Sequence, residues 1–169
     1  MGYGLSGAIG AAVAQPTKRV TLIEGDGGFA QNMQEIGTVA INNLNIKMFI
    51  FFDEGYASIR MTQRNYFKGS YVGCDTKTGL GLPNYSALFA CYGIPCLDVK
   101  PGYTDTATFD ELYAKEGPCA FIVHIDPEQT YFPKITSRVL ENGAMESNPL
   151  HLMTPDLHED LWKEVGVYL

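Results

Sequence analysis

Four short apolar runs along the chain alternate with longer segments in which apolar residues recur at helical spacing. This alternation is typical of a parallel β-sheet that is covered by helices. Strands are predicted at Val20–Ile23, Ile46–Phe52, Pro95–Val99 and Ala120–Ile125. Helices are predicted at Leu5–Ala14, Ala30–Asn43, Ala57–Tyr66, Tyr85–Tyr92 and Thr108–Lys115, with Thr106 or Thr108 as the N-cap of the last. The pattern predicts an α/β fold with Rossmann-like topology, in which helices lie on both faces of a parallel sheet in three layers.

The strand and helix pattern ends near residue 125, and a Pro-containing segment follows. We expect residues 1–125 to form one domain, and residues 126–169 to be an extension that packs on that domain or on a neighbouring subunit. The Gly/Ala-rich first helix has weak intrinsic propensity and no strand before it. We therefore expect the domain to be truncated at its N-terminus. Residues 68–83 form a Gly-rich connection, and connections of that length are often functional.

Composition narrows the possible partners. The chain has 169 residues, a net charge of −7, and twelve Lys and Arg residues that form no basic run, so nucleic acid is not expected as a partner. The four cysteines contain no CxxC pair, which favours reduced thiols in a cytoplasmic protein. No apolar run approaches the roughly 20 residues of a membrane span, so no membrane association is expected.

The first candidate for chemistry is the turn Gly25–Gly28, which follows the first predicted strand. A strand that ends in a Gly-rich turn and then opens a helix presents backbone N–H groups to a phosphate, and glycines let the phosphate approach the main chain. Asp26 adds an anionic oxygen ligand for Mg²⁺ or Ca²⁺. The turn therefore predicts a site for a phosphate together with a hard cation.

A second acidic turn, Asp53 to Tyr56, follows the second predicted strand, and Asp53 lies 27 positions after Asp26. Two adjacent parallel strands would bring both carboxylates to the same edge of the sheet. The alternative for Asp53 is structural, because an Asp here can also be the N-cap of the helix that begins near Tyr56.

The N-terminal glycines allow a competing interpretation. Gly2, Gly4 and Gly7 satisfy the GxGxxG pattern of dinucleotide-binding folds, and Glu24 follows about 20 residues later, where such folds keep the acid that binds ribose. Close packing of a helix explains the same glycines equally well. The dinucleotide interpretation also leaves the turn at Asp53 without a role.

The segment from Gly25 to Arg60, GDGGFAQNMQEIGTVAINNLNIKMFIFFDEGYASIR, resembles the diphosphate-binding motif of thiamine diphosphate-dependent enzymes. The preceding MGYGLSGAIGAA, the segments IRMTQRNYF, YVGCD and GLGLP, and the later PKITSR and SNPLHLMTPDL are similar to acetolactate synthase-like proteins. The resemblance covers nearly the whole chain. It implies the pyrophosphate-binding, C-terminal domain of such an enzyme, with thiamine diphosphate and Mg²⁺ as cofactors.

The resemblance also implies roles for individual residues. Asp26 and Asp53 match the two side chains that bind the metal, and Gly55 matches the residue that adds a main-chain carbonyl. The resemblance implies contacts of the diphosphate with Gly25, Gly27, Gly28 and the N–H of Tyr56, while Met1 matches the bulky residue that supports the bent cofactor between its two rings.

The chain departs from the family pattern at the metal turn and on the next helix. Phe52 and Asp53 stand where most relatives have a pair of Asn residues, and the carboxylate adds negative charge beside the diphosphate. We therefore expect strong metal binding but poor retention of the cofactor without metal. The next helix lacks the Trp that acetolactate synthases usually keep there, which separates this chain from the strict acetolactate synthases.

Three other polar residues have two interpretations each. Arg60 and Gln63 lie where relatives place residues that face the substrate, or they are exposed side chains of a surface helix. His124 ends the last strand and either faces a site or is a satisfied structural residue.

In the family that the chain resembles, a 2-keto acid is decarboxylated and the product is passed to a second carbonyl compound, with the cofactor as electron sink. The Glu that activates the cofactor belongs to a separate pyrimidine-binding domain, usually of the partner subunit, so the resemblance implies a homodimer or tetramer. We assign no catalytic residue to this chain and expect the isolated piece to bind diphosphate and metal without turnover. The alternative is a free-standing module that pairs with a separately encoded partner or binds the cofactor without catalysis.

Overall fold

The computed structural model describes residues 1–130 and 132–168. They divide into two compact units, Met1–Glu128 and Gln129–Leu169. Positions 131 and 169 of the expected C-terminal extension lie outside the described residues. The packing of that extension on its own domain or on a neighbouring subunit stays a prediction.

The first unit contains a four-stranded parallel sheet, which confirms the predicted α/β class. Its strands are β1 (Val20–Gly25), β2 (Ile46–Phe52), β3 (Cys96–Val99) and β4 (Cys119–His124), in the spatial order β1-β2-β4-β3. The central strands β2 and β4 are buried over most of their length, as expected for strands covered on both faces. Every strand therefore ends at the same edge of the sheet, and that edge carries the polar turns.

Helices cover both faces of this sheet. On one face, alternate residues of the strands such as Met48 and Ile122 form the main core together with α1, α2, α3 and α5. On the other face, the rings of Phe49 and Phe121 stack at 4.7 Å and contact the aromatic side chains of α6. The helices of this unit are α1 (Gly4–Ala14), α2 (Asp26–Ala30), α3 (Ile36–Ile41), α4 (Ala57–Tyr66), α5 (Tyr85–Cys91) and α6 (Thr106–Ala114).

The single helix predicted over Ala30–Asn43 is wrong. The structure has α2 over Asp26–Ala30, a short 3₁₀ turn, and then α3 from Ile36. The break falls at Asn32, whose side chain donates to the Ser6 hydroxyl of α1 and accepts from Gln34. Because an Asn side chain competes with helical backbone bonds, it favours such a break. Its consequence is that Asp26 begins a helix of its own.

The N-cap predicted for α6 is also wrong. Asp105 is the cap, and its carboxylate accepts from the backbone N–H of Thr108 at 3.1 Å. The Thr108 hydroxyl donates to the same carboxylate at 2.6 Å. An Asp is among the preferred N-cap residues, so the cap lies one residue before the helix begins.

The second unit consists of short elements that the sequence pattern did not reveal. Strand pairs β5 (Lys134–Ile135) with β8 (Met153–Thr154) and β6 (Ser137–Val139) with β7 (Met145–Ser147) precede helix α7 (Glu159–Val165). Strands of two or three residues are too short to produce a visible alternation of apolar and polar positions. Among the described residues, no helix is long and apolar enough to cross a membrane.

Candidate functional site

The two acidic turns lie side by side at the carboxyl edge of the sheet. Strand β1 runs parallel to β2 with Gly25 opposite Phe51, so Asp26 and Asp53 leave adjacent strands at the same edge. Asp26 is completely buried and Asp53 is 8% exposed. The predicted juxtaposition of the two carboxylates is therefore present. The alternative role of Asp53 as a helix cap is not, because α4 has Tyr56 at its N-cap and no side-chain cap bond.

Backbone and side-chain groups fix Asp26 in place. The N–H of Gly27 donates to its Oδ1 at 2.6 Å, and the N–H of Gly55 donates to its Oδ2 at 3.1 Å. The hydroxyl of Tyr85 donates to the Asp26 carbonyl oxygen at 2.6 Å. Tyr85 was missed in the sequence because it lies on α5, and no local motif connects it to a turn 59 positions earlier.

Negative charge is unfavourable at this edge, because the pKa values of both carboxyl groups are raised. Burial, and then the charge of Asp53, raises the pKa of Asp26 to about 6. Burial also raises the pKa of Asp53, although the Arg60 guanidinium acts in the opposite direction. Buried carboxylates whose pKa values are raised gain most from a nearby cation.

A cavity of about 280 Å³ opens beside these carboxylates. Asp26 is completely buried and does not line this cavity. Met1 contributes to the wall and is itself 74% exposed. The other predicted site residues that line this cavity are Gly25, Gly27, Gly28, Asp53, Gly55 and Tyr56.

Two glycines in these turns are required by close packing. A Cβ on Gly27 would collide with the Tyr56 ring and lie 3.0 Å from the Gly55 carbonyl oxygen, and a Cβ on Gly55 would collide with the Cys74 carbonyl oxygen. Gly25 differs, because nothing lies within 4 Å of the position of its Cβ. A side chain at Gly25 would therefore enter the cavity, and its absence leaves room for a ligand.

Two backbone N–H groups that were expected to contact the diphosphate, those of Gly27 and Tyr56, have acceptors within the protein. The N–H of Tyr56 donates to the Cys74 carbonyl oxygen at 2.8 Å, and that of Gly27 donates to Asp26. Neither N–H is directed at the cavity, because each has an acceptor within the protein. Tyr56 contributes its ring to the cavity wall instead, and Gly27 contributes an open surface.

The Gly-rich connection 68–83 is attached to the second acidic turn. Gly55 pairs with Asp75 in an isolated antiparallel bridge, next to the hydrogen bond from Tyr56 to Cys74. Asp75 is held by Thr78, whose backbone N–H and hydroxyl donate to its Oδ1 at 2.9 and 2.8 Å. The CDTKT sequence carries the signal of such an Asp-centred turn, but nothing in it indicates the contact with Gly55.

Arg60 and Gln63 do not line the candidate cavity. The side chain of Gln63 donates to the Val72 carbonyl oxygen at 3.0 Å and accepts from the Val72 N–H at 3.1 Å. Arg60 is only 6% exposed and donates to the Asp53 carbonyl oxygen at 3.0 Å. Arg60 is therefore not an exposed side chain of a surface helix, and its role toward a substrate stays a prediction.

His124 is a partner of Asp98. Its Nε2 lies 3.0 Å from Asp98 Oδ1, and the hydroxyl of Ser86 donates to Oδ2 of the same carboxylate at 2.8 Å. The imidazole also packs edge-on against the Phe52 ring at 5.2 Å. These groups line a second cavity of about 320 Å³ at the ends of β3 and β4. The satisfied structural role predicted as one alternative agrees with these contacts.

Glu24 packs beside two of the glycines at this end of the sheet, Gly4 and Gly28. A Cβ on Gly4 would lie 2.6 Å from Glu24 Oε2. Burial raises the pKa of Glu24, while the N–H groups of Gly4 and Leu5 at the start of α1 act to lower it. The Glu24 carboxylate therefore lies close to the N-terminal glycines at the start of α1.

The donors at the two acidic turns suit a hard cation. Asp26 and Asp53 offer carboxylate oxygens and Gly55 a carbonyl oxygen, which are the ligand types of Mg²⁺. Across residues 1–130 and 132–168, no group of three or more His, Cys, Asp or Glu side chains could hold a metal ion. A cation between these turns would therefore need further oxygens from another molecule.

The fold and this edge define a parallel α/β domain whose candidate site lies where two strands end in acidic, Gly-rich turns. Residues 1–123 match the family model described as "Thiamine pyrophosphate enzyme, C-terminal TPP binding domain". The chain belongs to this family, which confirms the resemblance found in the sequence; thiamine pyrophosphate is thiamine diphosphate.

Curated relatives are acetolactate synthases. The chain is 29% identical over 135 residues to the acetolactate synthase of Arthrospira platensis, covering 80% of the chain and 23% of the relative. It is 30% identical over 135 residues to the acetolactate synthase isozyme 1 large subunit of Escherichia coli (strain K12), covering 80% of the chain and 24% of that protein. The chain thus spans about a quarter of the length of these relatives.

Solved structures share the fold. A thiamine diphosphate-dependent 4-hydroxybenzoylformate decarboxylase of Rhodococcus jostii RHA1 superposes with a TM-score of 0.63 at 24% identity, covering 76% of this chain and 24% of that one. Benzoylformate decarboxylase from Polynucleobacter necessarius gives a TM-score of 0.65 at the same identity and coverage. The parallel sheet with helices on both faces is therefore the fold of the C-terminal domain in such enzymes.

Proposed function

We propose that the chain holds the diphosphate of thiamine diphosphate through Mg²⁺, as the C-terminal domain of an acetolactate synthase-like carboligase or decarboxylase. The observation that carries the proposal is the meeting of Asp26 and Asp53 beside a Gly-lined cavity of about 280 Å³. Membership of the family supplies the identity of the cofactor.

The charges at this edge support a metal-bridged diphosphate. Two buried carboxylates would repel a bare diphosphate, and Mg²⁺ between them would neutralise both sides. Asp26 and Asp53 would contribute side-chain oxygens and Gly55 its carbonyl oxygen. Since Mg²⁺ usually keeps part of its shell for phosphates and water, three protein ligands are sufficient.

The cavity wall supports roles for the remaining residues. Gly25, Gly27 and Gly28 provide a surface without side chains for the diphosphate, and the Tyr56 ring borders it. Met1 lines the same cavity and would support the bent cofactor between its two rings. The cofactor, when bound, supplies the electron sink for decarboxylation of a 2-keto acid.

Further parts of the enzyme are expected outside this chain. We propose that the Glu which activates the cofactor comes from a pyrimidine-binding domain of the same or a partner subunit in a homodimer or tetramer. Glu24 is not expected to replace it, because it lines the cavity beside the glycines that are proposed to hold the diphosphate. The four free cysteines support a cytoplasmic location. The 169-residue chain alone is expected to show no decarboxylation of pyruvate, and measurable turnover would contradict this.

Thermal denaturation with added ligands tests the proposal. With thiamine diphosphate and Mg²⁺ each at about a hundredfold excess over the dissociation constant, the unfolding temperature is expected to rise by roughly 5–10 °C. Either ligand alone should give a smaller rise, and Asp26→Ala should abolish the combined effect. An equal rise with NAD would favour the dinucleotide alternative, and no rise with any ligand would contradict the proposal.

A further inference from the structure

Arg60 is the buried cation next to the candidate metal site, and nothing in the proposed function uses it. Its side chain lies on α4, one turn after the second acidic turn, and is 7% exposed. Its Nη2 donates to the Asp53 carbonyl oxygen at 3.0 Å and lies 3.4 Å from Asp53 Oδ1. One guanidinium nitrogen therefore contacts both the backbone and the carboxylate of the predicted metal ligand.

The guanidinium also reaches two carboxylates on other segments. Nη1 lies 3.8 Å from Asp75 Oδ2 in the Gly-rich connection, and Nε lies 3.9 Å from Glu128 Oε1 after β4. A buried Arg is stable only when it is paired. Three carboxylates share the charge of this one Arg, so Arg60 offsets part of the negative charge of Asp53.

This balance matters because Asp53 is one of the proposed metal ligands and would lie beside the diphosphate. A neutral amide adds no charge beside a diphosphate, whereas an unpaired carboxylate repels the diphosphate at short range. Arg60 supplies one positive charge at the same place, which offsets part of the negative charge of Asp53. The guanidinium also holds Asp53 Oδ1, which limits the rotation of the carboxylate.

We propose that Arg60 is a positioning residue for Asp53, which orients its carboxylate and offsets part of its charge so that the diphosphate–metal site can form. The inference rests on the proposed function and deepens it. It states that Asp53 and Arg60 act as one unit, and that the effect of removing Arg60 on cofactor binding depends on the charge of residue 53.

A double-mutant cycle tests the coupling in the complete protein. The variants are Arg60→Met, Asp53→Asn, both together, and Arg64→Met as the matched control. Arg64 lies one turn further on the same helix and binds Glu128 at 2.6 Å, but it has no contact with Asp53 among the described residues. Calorimetry measures the dissociation constant of thiamine diphosphate, once with saturating Mg²⁺ and once with a chelator.

With the chelator, R60M is expected to weaken thiamine diphosphate binding at least about tenfold, because it leaves the Asp53 charge uncompensated. With saturating Mg²⁺ the loss should be smaller, since the metal takes over part of the compensation. D53N/R60M should bind as D53N does, and R64M as the wild type. A purely structural role of Arg60 would not produce this dependence on metal.

Equal losses from R60M in the wild-type and D53N backgrounds would overturn the inference, since Arg60 would then act through Asp75 or Glu128 alone. If the wild type binds no thiamine diphosphate even with Mg²⁺, the proposed function fails and the inference fails with it. If R60M does not fold, Arg60→Lys replaces it in the same double-mutant cycle with Asp53→Asn. Lys keeps the charge without the planar fork, so a loss of about threefold that D53N removes supports the inference. An equal loss from Arg60→Lys in both backgrounds contradicts it.

Discussion

Two carboxylate clusters lie at the carboxyl edge of one sheet, and their members Asp98 and Asp26 differ in whether a side chain of the protein pairs with the carboxylate. At the ends of β3 and β4, burial acts to raise the pKa of Asp98, but hydrogen bonds from His124 and Ser86 outweigh it and the pKa is lower than usual. At the ends of β1 and β2, burial and Asp53 raise the pKa of Asp26 to about 6.

The difference separates a structural carboxylate from a candidate ligand. Asp98 is hydrogen-bonded to the side chains of His124 and Ser86, so that cluster has less to gain from a cation. Asp26 accepts only backbone N–H groups and faces a second carboxylate. A parallel sheet brings several polar turns to one edge, and the charge balance of each turn indicates which of them binds an external cation.

The largest expected effect is on cofactor binding, and it comes from replacing Asp26 by Asn. The same replacement at Asp98 is the control. Asp26→Asn should weaken binding of Mg²⁺ with thiamine diphosphate by about a hundredfold or more. The substitution removes an anionic ligand, and it removes the repulsion between the carboxylates of residues 26 and 53 that favours a bound cation. Asp98→Asn is the matched control at the same edge and should change the dissociation constant less than about twofold. Calorimetry on both variants checks this, and similar losses in the two would contradict the comparison.

Close packing at the glycines allows a second test. Gly27→Ala places a Cβ against the Tyr56 ring and the Gly55 carbonyl oxygen, so we expect a loss of about 1–3 kcal/mol in the free energy of unfolding and weaker cofactor binding. Gly10→Ala, on α1 with nothing within 4 Å of its Cβ, should instead stabilise by up to about 1 kcal/mol. Urea denaturation separates the two results, and a stable G27A variant would contradict the packing argument.

The raised pKa of Asp26 predicts a pH dependence of metal binding. Protons compete with Mg²⁺ for this carboxylate, so the apparent Mg²⁺ affinity should be nearly constant above about pH 7 and fall by up to about tenfold per unit below about pH 6. Titration calorimetry at stepped pH measures this change. An affinity that does not change between about pH 5 and 7 would contradict the prediction.

The raised pKa of Asp26 also predicts how the free energy of unfolding changes with pH. A carboxyl pKa raised from 3.8 to about 6 in the folded state contributes stability below pH 3.8 that is lost as the pH rises through 6. Without metal, the contribution of Asp26 should therefore fall between about pH 4 and 6, and D26N should remove it. Thermal denaturation of both proteins over this range provides the check.

The smallest expected effect is at His124. His124→Gln removes a partly exposed pair with Asp98, so the free energy of unfolding should drop by only about 0.5–1 kcal/mol. Cofactor binding should stay within about twofold of the wild type, measured by calorimetry. A large loss of binding in H124Q would place a function at the Asp98 cluster and remove the distinction between the two ends of the sheet.

The structural features that depend on residues close together in the sequence could be predicted. Strands β1 and β2 were visible as apolar runs, and the spacing of Asp26 and Asp53 was sufficient to place both carboxylates at one edge of a parallel sheet. Family membership followed from the same segment and was confirmed by the match over residues 1–123. The ligand set itself stays a prediction.

The parts that depend on distant contacts were not predictable. The burial of Arg60 had no signal in the sequence, because it depends on Asp75 and Glu128 in other segments. Tyr85 contacts the Asp26 carbonyl across 59 positions. The break at Asn32 depends on Ser6 of α1. Side-chain patterns within one element carry no signal of such partners.

The most direct test is to locate the metal. A crystal structure of the complete protein with thiamine diphosphate and Mn²⁺, which shares the preference of Mg²⁺ for oxygen ligands, would show the ion by its anomalous scattering. The account predicts one peak about 2 Å from carboxylate oxygens of Asp26 and Asp53 and from the Gly55 carbonyl oxygen, with the diphosphate against Gly25–Gly28. A peak at Asp98 and His124, or a bound diphosphate with no metal between the two acidic turns, would contradict it.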